Sequence, residues 1–124
     1  MNSHKVIIKK DNGTFKTLYT NNKGQPHRTD GPAIIWHESD GRVVGKEWWR
    51  KGKCHRENEP ALILHYTDGS VMAKHWYFEG DLHRTGGQSS VWYWEDGSVH
   101  GKEWRVGGNI HRLNGPAIVW YRKD

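Results

Sequence analysis

The chain of 124 residues has a single cysteine, Cys54, and therefore cannot form an internal disulfide. One cysteine is typical of proteins kept in reducing, intracellular compartments, so we expect a cytoplasmic location. No apolar run approaches the ~18 residues that a membrane-spanning helix requires, and the N-terminal stretch lacks the apolar segment of a signal peptide. The sequence therefore predicts neither a membrane span nor a disulfide-stabilised secreted fold.

Aliphatic side chains are also scarce, since Leu, Ile, Val and Phe together supply only 22 residues. A fraction this low is typical of disordered chains. The eight Trp and five Tyr argue for a folded protein instead, because disordered chains are poor in aromatic residues. The length is that of one domain, and the net charge of +5 favours an acidic partner over a basic one.

An internal repeat with a step of 28 residues runs through the chain. A His-Arg dipeptide recurs at this step as His27-Arg28, His55-Arg56, His83-Arg84 and His111-Arg112. A turn-like pair recurs as Asn12-Gly13, Asp40-Gly41, Asp68-Gly69 and Asp96-Gly97, with Asp124 at the next step. We predict one repeat domain, 1–124, composed of half-copy 1–28, full copies 29–56, 57–84 and 85–112, and half-copy 113–124.

Each copy contains two extended segments, such as residues 33–37 and 43–49 of the first full copy. Both segments are rich in β-branched and aromatic residues. Asp40-Gly41 between them predicts a two-residue hairpin loop of type I′, in which both residues have positive φ. No stretch carries apolar residues at helical spacing. We therefore predict an all-β fold, an antiparallel meander of about nine strands that forms a curved sheet of hairpin repeats.

This loop also predicts which residues face each other across a hairpin. The facing pairs are Trp36 with Gly45, Leu64 with Ala73, and Trp92 with Gly101. In each pair a large side chain meets a small one, and Ala replaces Gly where Leu replaces Trp, as cross-strand packing requires. A shift of the register by one residue would lose this match.

The unit G-x-x-H-R-x-x-G-P-A … D-G … W resembles a divergent, MORN-like β-hairpin repeat of bacteriophage, bacterial and large-virus proteins. Residues 24–36 and 108–120 match it closely, Glu59-Pro60-Ala61 departs by one residue, and Gly87-Gln88-Ser89 departs at the Pro and the Ala. The resemblance covers nearly the whole chain, from Asn12-Gly13 onward. It implies an elongated, curved antiparallel sheet that serves as a binding scaffold, and it carries no catalytic residues. It also implies an adaptor or inhibitor directed at a host defence or takeover target, in the host cytoplasm if the protein is viral.

Two columns of cations are candidate binding residues. The first consists of Arg28, Arg56, Arg84 and Arg112, at steps of ~10 Å along one edge of the sheet. The second consists of Lys46, Lys74 and Lys102, which strand alternation places on the same face as the Trp two residues later. Arginine suits phosphate and carboxylate groups, and basic with aromatic residues suits single-stranded nucleic acid. Structural interpretations stay open: His bonds a loop carbonyl while Arg covers an aromatic ring, and Trp builds the core beneath the Lys stem.

Two further columns change their chemical character from copy to copy. One holds Glu38, Tyr66, Trp94 and Arg122, and the other holds Trp49, Tyr77 and Arg105. A purely structural position has little reason to exchange acid, aromatic and base, so we expect these columns to face solvent. Trp49, Tyr66 and Trp94 are therefore candidate anchors of an interface.

The repeat argues against a metal site, a cofactor or a catalytic centre, and we expect none of them. Equivalent histidines lie ~10 Å apart in such a sheet, whereas the ligands of one zinc ion lie ~2.0–2.1 Å from the metal. Cys54 occupies a column that otherwise holds Pro26, Leu82 and Ile110, which predicts a small buried apolar residue and not a nucleophile.

The sequence thus predicts a non-enzymatic binding protein that captures a protein partner with an acidic surface. The alternative is a binder or sponge for nucleic acid or an anionic nucleotide, which would act through the Arg and Lys columns. The end strands are exposed edges, where the charges of Lys9-Lys10 and Arg122-Lys123 discourage pairing. A homodimer through these edges stays open as a third kind of partner.

Overall fold

The structure, a computed structural model, describes residues 4–122 and confirms an all-β fold with no helix in that range. In chain order the strands are β1 (His4–Lys9), β2 (Phe15–Thr20), β3 (Ile34–His37), β4 (Val43–Glu47), β5 (Trp49–Arg50), β6 (Lys53–Cys54), β7 (Leu62–His65), β8 (Val71–His75), β9 (Tyr77–Phe78), β10 (Asp81–Leu82), β11 (Ser90–Tyr93), β12 (Val99–Glu103), β13 (Arg105–Val106), β14 (Asn109–Ile110) and β15 (Ile118–Trp120). Two residues of the sequence predictions lie outside the described range: Lys123, one of the charges at the sheet edge, and Asp124, at the last step of the repeat. This range accordingly contains no helical segment that could span a membrane.

Nine of these strands form one antiparallel sheet, which confirms the predicted meander. Their order in the sheet is β1-β2-β3-β4-β7-β8-β11-β12-β15, so β1 and β15 are the two outer strands. The other six strands form three small hairpins, β5–β6, β9–β10 and β13–β14. Each full copy therefore contributes two long strands followed by one small hairpin.

The large-against-small pairs occur where the sequence predicts them. The structure pairs Trp36 with Gly45, Leu64 with Ala73, and Trp92 with Gly101. A Cβ atom at Gly45 would lie 3.1 Å from Cδ1 of Trp36. A Cβ atom at Gly101 would overlap the ring of Trp120, which pairs with it from the other side. Glycine is thus the residue that lets neighbouring indoles lie close to the sheet.

The main hairpin loops are not the predicted type I′ turns. In the first full copy Gly41 has a φ of 93°, but Asp40 is not among the residues with positive φ. The Gly41 N–H donates to the Glu38 carbonyl at 2.8 Å, which makes a type I turn followed by a left-handed glycine. This loop is one residue longer than predicted. A β-bulge beside Trp36 absorbs the extra residue, so the predicted pairs are kept.

Two-residue turns with positive φ at both positions occur instead in the small hairpins. They are Lys51-Gly52 (φ 52° and 82°), Glu79-Gly80 (48° and 93°) and Gly107-Gly108 (58° and 85°). The sequence prediction extended the second main strand to Trp49, whereas this strand ends at Glu47. Trp48 separates this strand from β5, the first strand of the small hairpin.

The first half-copy keeps the 28-residue period through two compensating changes. β1 and β2 pair without a bulge, and the following turn is one residue longer, with the Gly24 N–H donating to the Asn21 carbonyl. Tyr19 therefore takes the structural place of Trp48, although Thr20 stands 28 residues before that Trp. An unbroken sequence period conceals a local shift of one residue.

The main contacts between strands join sheet neighbours, so the core is small. Its buried apolar residues are Ala33, Ile34, Cys54, Ala61, Ala73 and Val91. The accessible surface of 7709 Å² exceeds the roughly 6,900 Å² expected for a compact protein of this mass. Contacts between successive copies must therefore supply much of the stability.

The substitution Gly101→Ala tests the close packing of glycine against indole. We expect the free energy of unfolding to fall by about 1–2 kcal/mol, because the new methyl group overlaps Trp120. Adding Trp120→Leu gives residue 101 a smaller neighbour from the adjacent strand, of the kind that Gly45 has in Leu64, and should recover most of this loss. Chemical denaturation of both single variants and the double variant measures the coupling. Strictly additive losses would contradict the packing described here.

Candidate functional site

The arginines of the four His-Arg turns each stack on an aromatic ring. The Cζ atom of Arg28 lies 3.9 Å from the centroid of the Tyr19 ring. In the later copies the stacked pairs are Arg56 on Trp48 at 3.9 Å, Arg84 on Trp76 at 4.1 Å, and Arg112 on Trp104 at 3.8 Å. A guanidinium in this position gains cation–π attraction and covers the ring with its own apolar stem.

The same guanidinium groups also close the loop that follows each turn. In every copy Nη1 donates to the carbonyl oxygen four residues later, which belongs to Pro32, Pro60, Gln88 or Pro116 at 3.1, 3.1, 3.1 and 2.9 Å. Two of the arginines also meet a carboxylate. The Arg28 Nε atom lies 3.0 Å from Asp30, and Nη2 of Arg56 lies 3.0 Å from Glu59.

The histidines of these turns join each copy to the next. Nδ1 of His27 accepts a hydrogen bond at 2.9 Å from the backbone N–H of Lys51, in the turn of the following small hairpin. The bond recurs from Glu79 to His55 at 2.9 Å and from Gly107 to His83 at 2.7 Å. The ring of His111, in the last turn, forms no such bond within residues 4–122.

Backbone hydrogen bonds run beside the histidines and strengthen the same junction. The N–H groups of Gly52, Gly80 and Gly108 donate to the carbonyl groups of Pro26, Cys54 and Leu82 at 3.0, 2.9 and 2.9 Å. In return, the Arg28 N–H donates to the Trp49 carbonyl at 3.2 Å. The small hairpins therefore form a second hydrogen-bonded ladder, which lies along the side of the main sheet where β4, β8 and β12 end.

The His-Arg pair thus joins one copy to the next. This role is close to the structural interpretation of the repeated dipeptide. Arg covers the aromatic ring as that interpretation expects, but His accepts a backbone N–H of the next copy and does not bond a loop carbonyl. The side chains of Arg28 and Arg56 keep exposed fractions of 23% and 26%. Part of each guanidinium group still faces solvent.

Three grooves lie between successive His-Arg turns, and we call this surface the His-Arg edge. The first groove, of about 400 Å³, lies between the turns of Arg28 and Arg56. The second, of about 440 Å³, lies between Arg56 and Arg84, and the third, of about 480 Å³, between Arg84 and Arg112. The indole on which the later arginine stacks lines each groove.

The lysines Lys46, Lys74 and Lys102 form a separate row across the middle of the sheet, which we call the lysine row. They alternate with apolar residues in the order Ile35, Lys46, Ile63, Lys74, Val91, Lys102 and Val119. None of the three forms an ion pair with a described residue. Trp48 lies beyond the end of β4, so the strand alternation invoked for a shared face does not extend to it.

Trp49 is half-buried and held by a carboxylate. Its Nε1 donates to Oε1 of Glu47 at 2.8 Å, while Nε1 of Trp36 donates to Oε2 at 2.7 Å. One glutamate thus fixes two indoles. In the third copy Arg105 takes the place of Trp49 and donates to Glu103 at 2.6 Å. The change from aromatic to base in this column preserves a bond to the same carboxylate position.

Tyr66 and Trp94 are also half-buried, so the expectation that their column faces solvent holds only in part. The Tyr66 hydroxyl donates to the Tyr93 carbonyl at 2.7 Å, which ties adjacent copies together. The Trp94 ring stacks on His100 with the centroids 3.8 Å apart. The structure does not bring these side chains to the His-Arg edge grooves, whose linings exclude them.

No group of His, Cys, Asp or Glu among the described residues is arranged to hold a metal ion. Cys54 is buried, and this burial raises the pKa of its thiol to about 12. A thiol with such a pKa is un-ionised at neutral pH and lacks the reactivity of a thiolate.

Sequence reasoning missed the small hairpins, which line the grooves through residues such as Tyr77, Phe78 and Val106. Their signal is present as an x-Gly pair three residues after each column Trp, at 51–52, 79–80 and 107–108. The contribution of Thr29 and Thr85 to the groove walls was also missed, because loop positions show no periodic hydrophobicity.

Comparisons with protein-family models, with curated proteins and with solved structures found no match for the chain. The MORN-like resemblance therefore stays a prediction that depends on the repeat motif.

Removal of a junction histidine should cost more than removal of the last one. We expect His55→Ala to lower the free energy of unfolding by about 1–3 kcal/mol, because the Glu79 N–H loses its acceptor. His111→Ala, which breaks no such bond, should change it by less than about 0.5 kcal/mol. Urea denaturation of the two variants measures the difference, and equal losses would disprove the locking role.

The buried thiol should resist alkylation in the native state. At pH 8 we expect iodoacetamide to modify Cys54 on the order of 10³-fold more slowly than the thiol of the urea-unfolded chain, because so little thiolate is present. Mass spectrometry of timed, quenched samples gives both rates. Rapid native modification would indicate an ionised, accessible thiol and reopen a nucleophilic role.

Proposed function

We propose that this is a non-enzymatic repeat protein that binds an acidic segment of a protein partner along the His-Arg edge. The observation that best supports it is the row of three grooves of similar volume, each lined by the arginines of two successive copies. A segment that runs along this edge meets the same chemistry at steps of ~10 Å. Repeat proteins commonly bind through extended surfaces of this kind.

The arginines are prepared for such a partner by the contacts that serve folding. Stacking on an indole and the bond from Nη1 to a carbonyl hold each guanidinium in one orientation. A cation that is already ordered loses little side-chain entropy on binding. The guanidinium fork matches a carboxylate in shape as well as in charge, and the net charge of +5 favours approach of an acidic surface.

The repeated geometry supports binding over catalysis, because an active site requires a unique arrangement of groups around one centre. Each groove of the His-Arg edge offers nearly the same arrangement instead. That the partner belongs to a host defence or another takeover target, met in the host cytoplasm, extends the phage-type resemblance of the repeat and depends on that resemblance.

A second candidate function is the binding of nucleic acid or an anionic nucleotide on the lysine row. The observation that favours it is the lack of ion pairs to Lys46, Lys74 and Lys102 among the described residues. The Nζ atom of Lys74 also lies 5.7 Å from the centroid of the Tyr93 ring, so a base could stack beside a cation.

Two variants with the same change in net charge separate these functions. Thr29→Glu with Thr85→Glu adds two carboxylates to the His-Arg edge, and Lys46→Gln with Lys74→Gln removes two positive charges from the lysine row. In capture experiments on nuclease-treated host lysate, we expect the edge variant to lose most of the protein partner and the row variant to retain it. The partner is quantified by mass spectrometry against the wild type.

Loss of binding in the row variant alone would support the second function. So would a complex that nuclease releases and that collapses between ~50 and ~200 mM salt, because phosphate contacts depend steeply on salt.

A further inference from the structure

The third groove differs from the other two in its charge. Asp30 and Glu57 line the first groove, and Glu57 also lines the second. The third is lined by Arg84 and Arg112 and by no carboxylate. Repeated geometry therefore presents three different electrostatic environments, and the third is the most positive.

The arginines of the third groove also keep more donors for a ligand. Arg28 and Arg56 each direct a second nitrogen at a carboxylate of their own loop. Arg84 and Arg112 use Nη1 for the loop carbonyl, as in the other copies, but form no ion pair with a described residue. In the other copies one such donor meets a carboxylate, Nε in Arg28 and Nη2 in Arg56.

Apolar side chains border this groove as well. Leu113 is 84% exposed and Val106 is 38% exposed, and both line the groove together with the indole of Trp104. The equivalent position of Leu113 holds Thr29, Glu57 or Thr85 in the other copies. A strongly exposed leucine beside two arginines suits a ligand that carries both a negative charge and apolar surface.

We propose that the third groove is the principal anchoring site of the His-Arg edge, and that it binds a Glu or Asp side chain of an extended peptide with an apolar residue beside it. This inference rests on the proposed function and narrows it to one site and one ligand chemistry. The carboxylate lies between Arg84 and Arg112, and the apolar neighbour packs on Leu113. A phosphate ligand would use the arginines but would gain nothing from the leucine.

The test uses the full chain, labelled with ¹⁵N, and a short, terminally blocked peptide of alternating Glu and Leu. We expect the amide signals of Gly86, Gly87 and Asn114 to shift and saturate during titration, with smaller shifts at Thr29 and Gly31. The same peptide with Gln in place of Glu should leave the third groove unshifted. Inorganic pyrophosphate serves as the phosphate probe.

A matched pair of variants distinguishes the first groove, lined by Thr29, from the second and third, both lined by Thr85, and the amide shifts distinguish these two. Thr85→Glu places a carboxylate in the wall of the third groove, at the repeat position that Glu57 occupies in the second copy, and should weaken the peptide about fivefold. Thr29→Glu makes the same chemical change in the first copy, and its effect should be at least threefold smaller. Both threonines are exposed, so we expect both variants to stay folded. Thermal denaturation checks this.

The outcomes distinguish this inference from the proposed function. Equal shifts in all three grooves, or equal losses in the two variants, would overturn the inference and leave binding along the His-Arg edge intact. Shifts confined to the lysine row, or no shift at all, would overturn both. Pyrophosphate that binds the third groove as tightly as the peptide would replace the peptide ligand with a phosphate and overturn the inference.

Discussion

The fold depends on how each copy is fastened to the next. A sheet in a single layer buries few side chains completely, so burial of apolar surface alone cannot hold nine short strands in one body. The histidine bonds and the ladder of small hairpins add a second set of junctions where the main strands end. In repeat proteins stability is the sum of the copies and their interfaces, so these junctions join separate hairpins into one cooperative structure.

Because the arginines take part in these turns, fewer of their N–H donors remain for a ligand. In every copy the stacked ring and the Nη1 bond to a carbonyl are committed to the turn. What remains variable is the loop between the arginine and that carbonyl. Asp30 or Glu59 meets one further donor of the arginine in the early copies, whereas the loop of Thr85, Gly86 and Gly87 has no carboxylate. In the proposed function, differences in binding between the copies therefore depend on a few loop residues, although the cations are the more conspicuous feature of the sequence.

The strand register could be predicted because it follows from side-chain volume, as the pair of Trp36 and Gly45 shows. The loop type could not, because Asp-Gly fits both a type I′ turn and a type I turn followed by a left-handed glycine. Because of the bulge in β4, both loop types give the same pairs of facing residues. The role of His55 escaped prediction for another reason: its partner, Glu79, lies 24 residues away and meets it only in the folded repeat.

If the protein binds along the His-Arg edge as we propose, identical copies would bind identical groups, so selectivity would come from the differences between copies. The loop of the third copy departs most from the repeat, yet the fold accommodates this. The Gln88 carbonyl accepts the Arg84 bond at 3.1 Å just as the Pro60 carbonyl accepts that of Arg56, and Ser89 is as fully buried as Ala61. This loop has no carboxylate, yet it keeps the arginine bond and the buried residue that the other copies have. Because these contacts do not depend on the charge of the loop, the difference in charge between the grooves is the feature that would select the ligand in the proposed function.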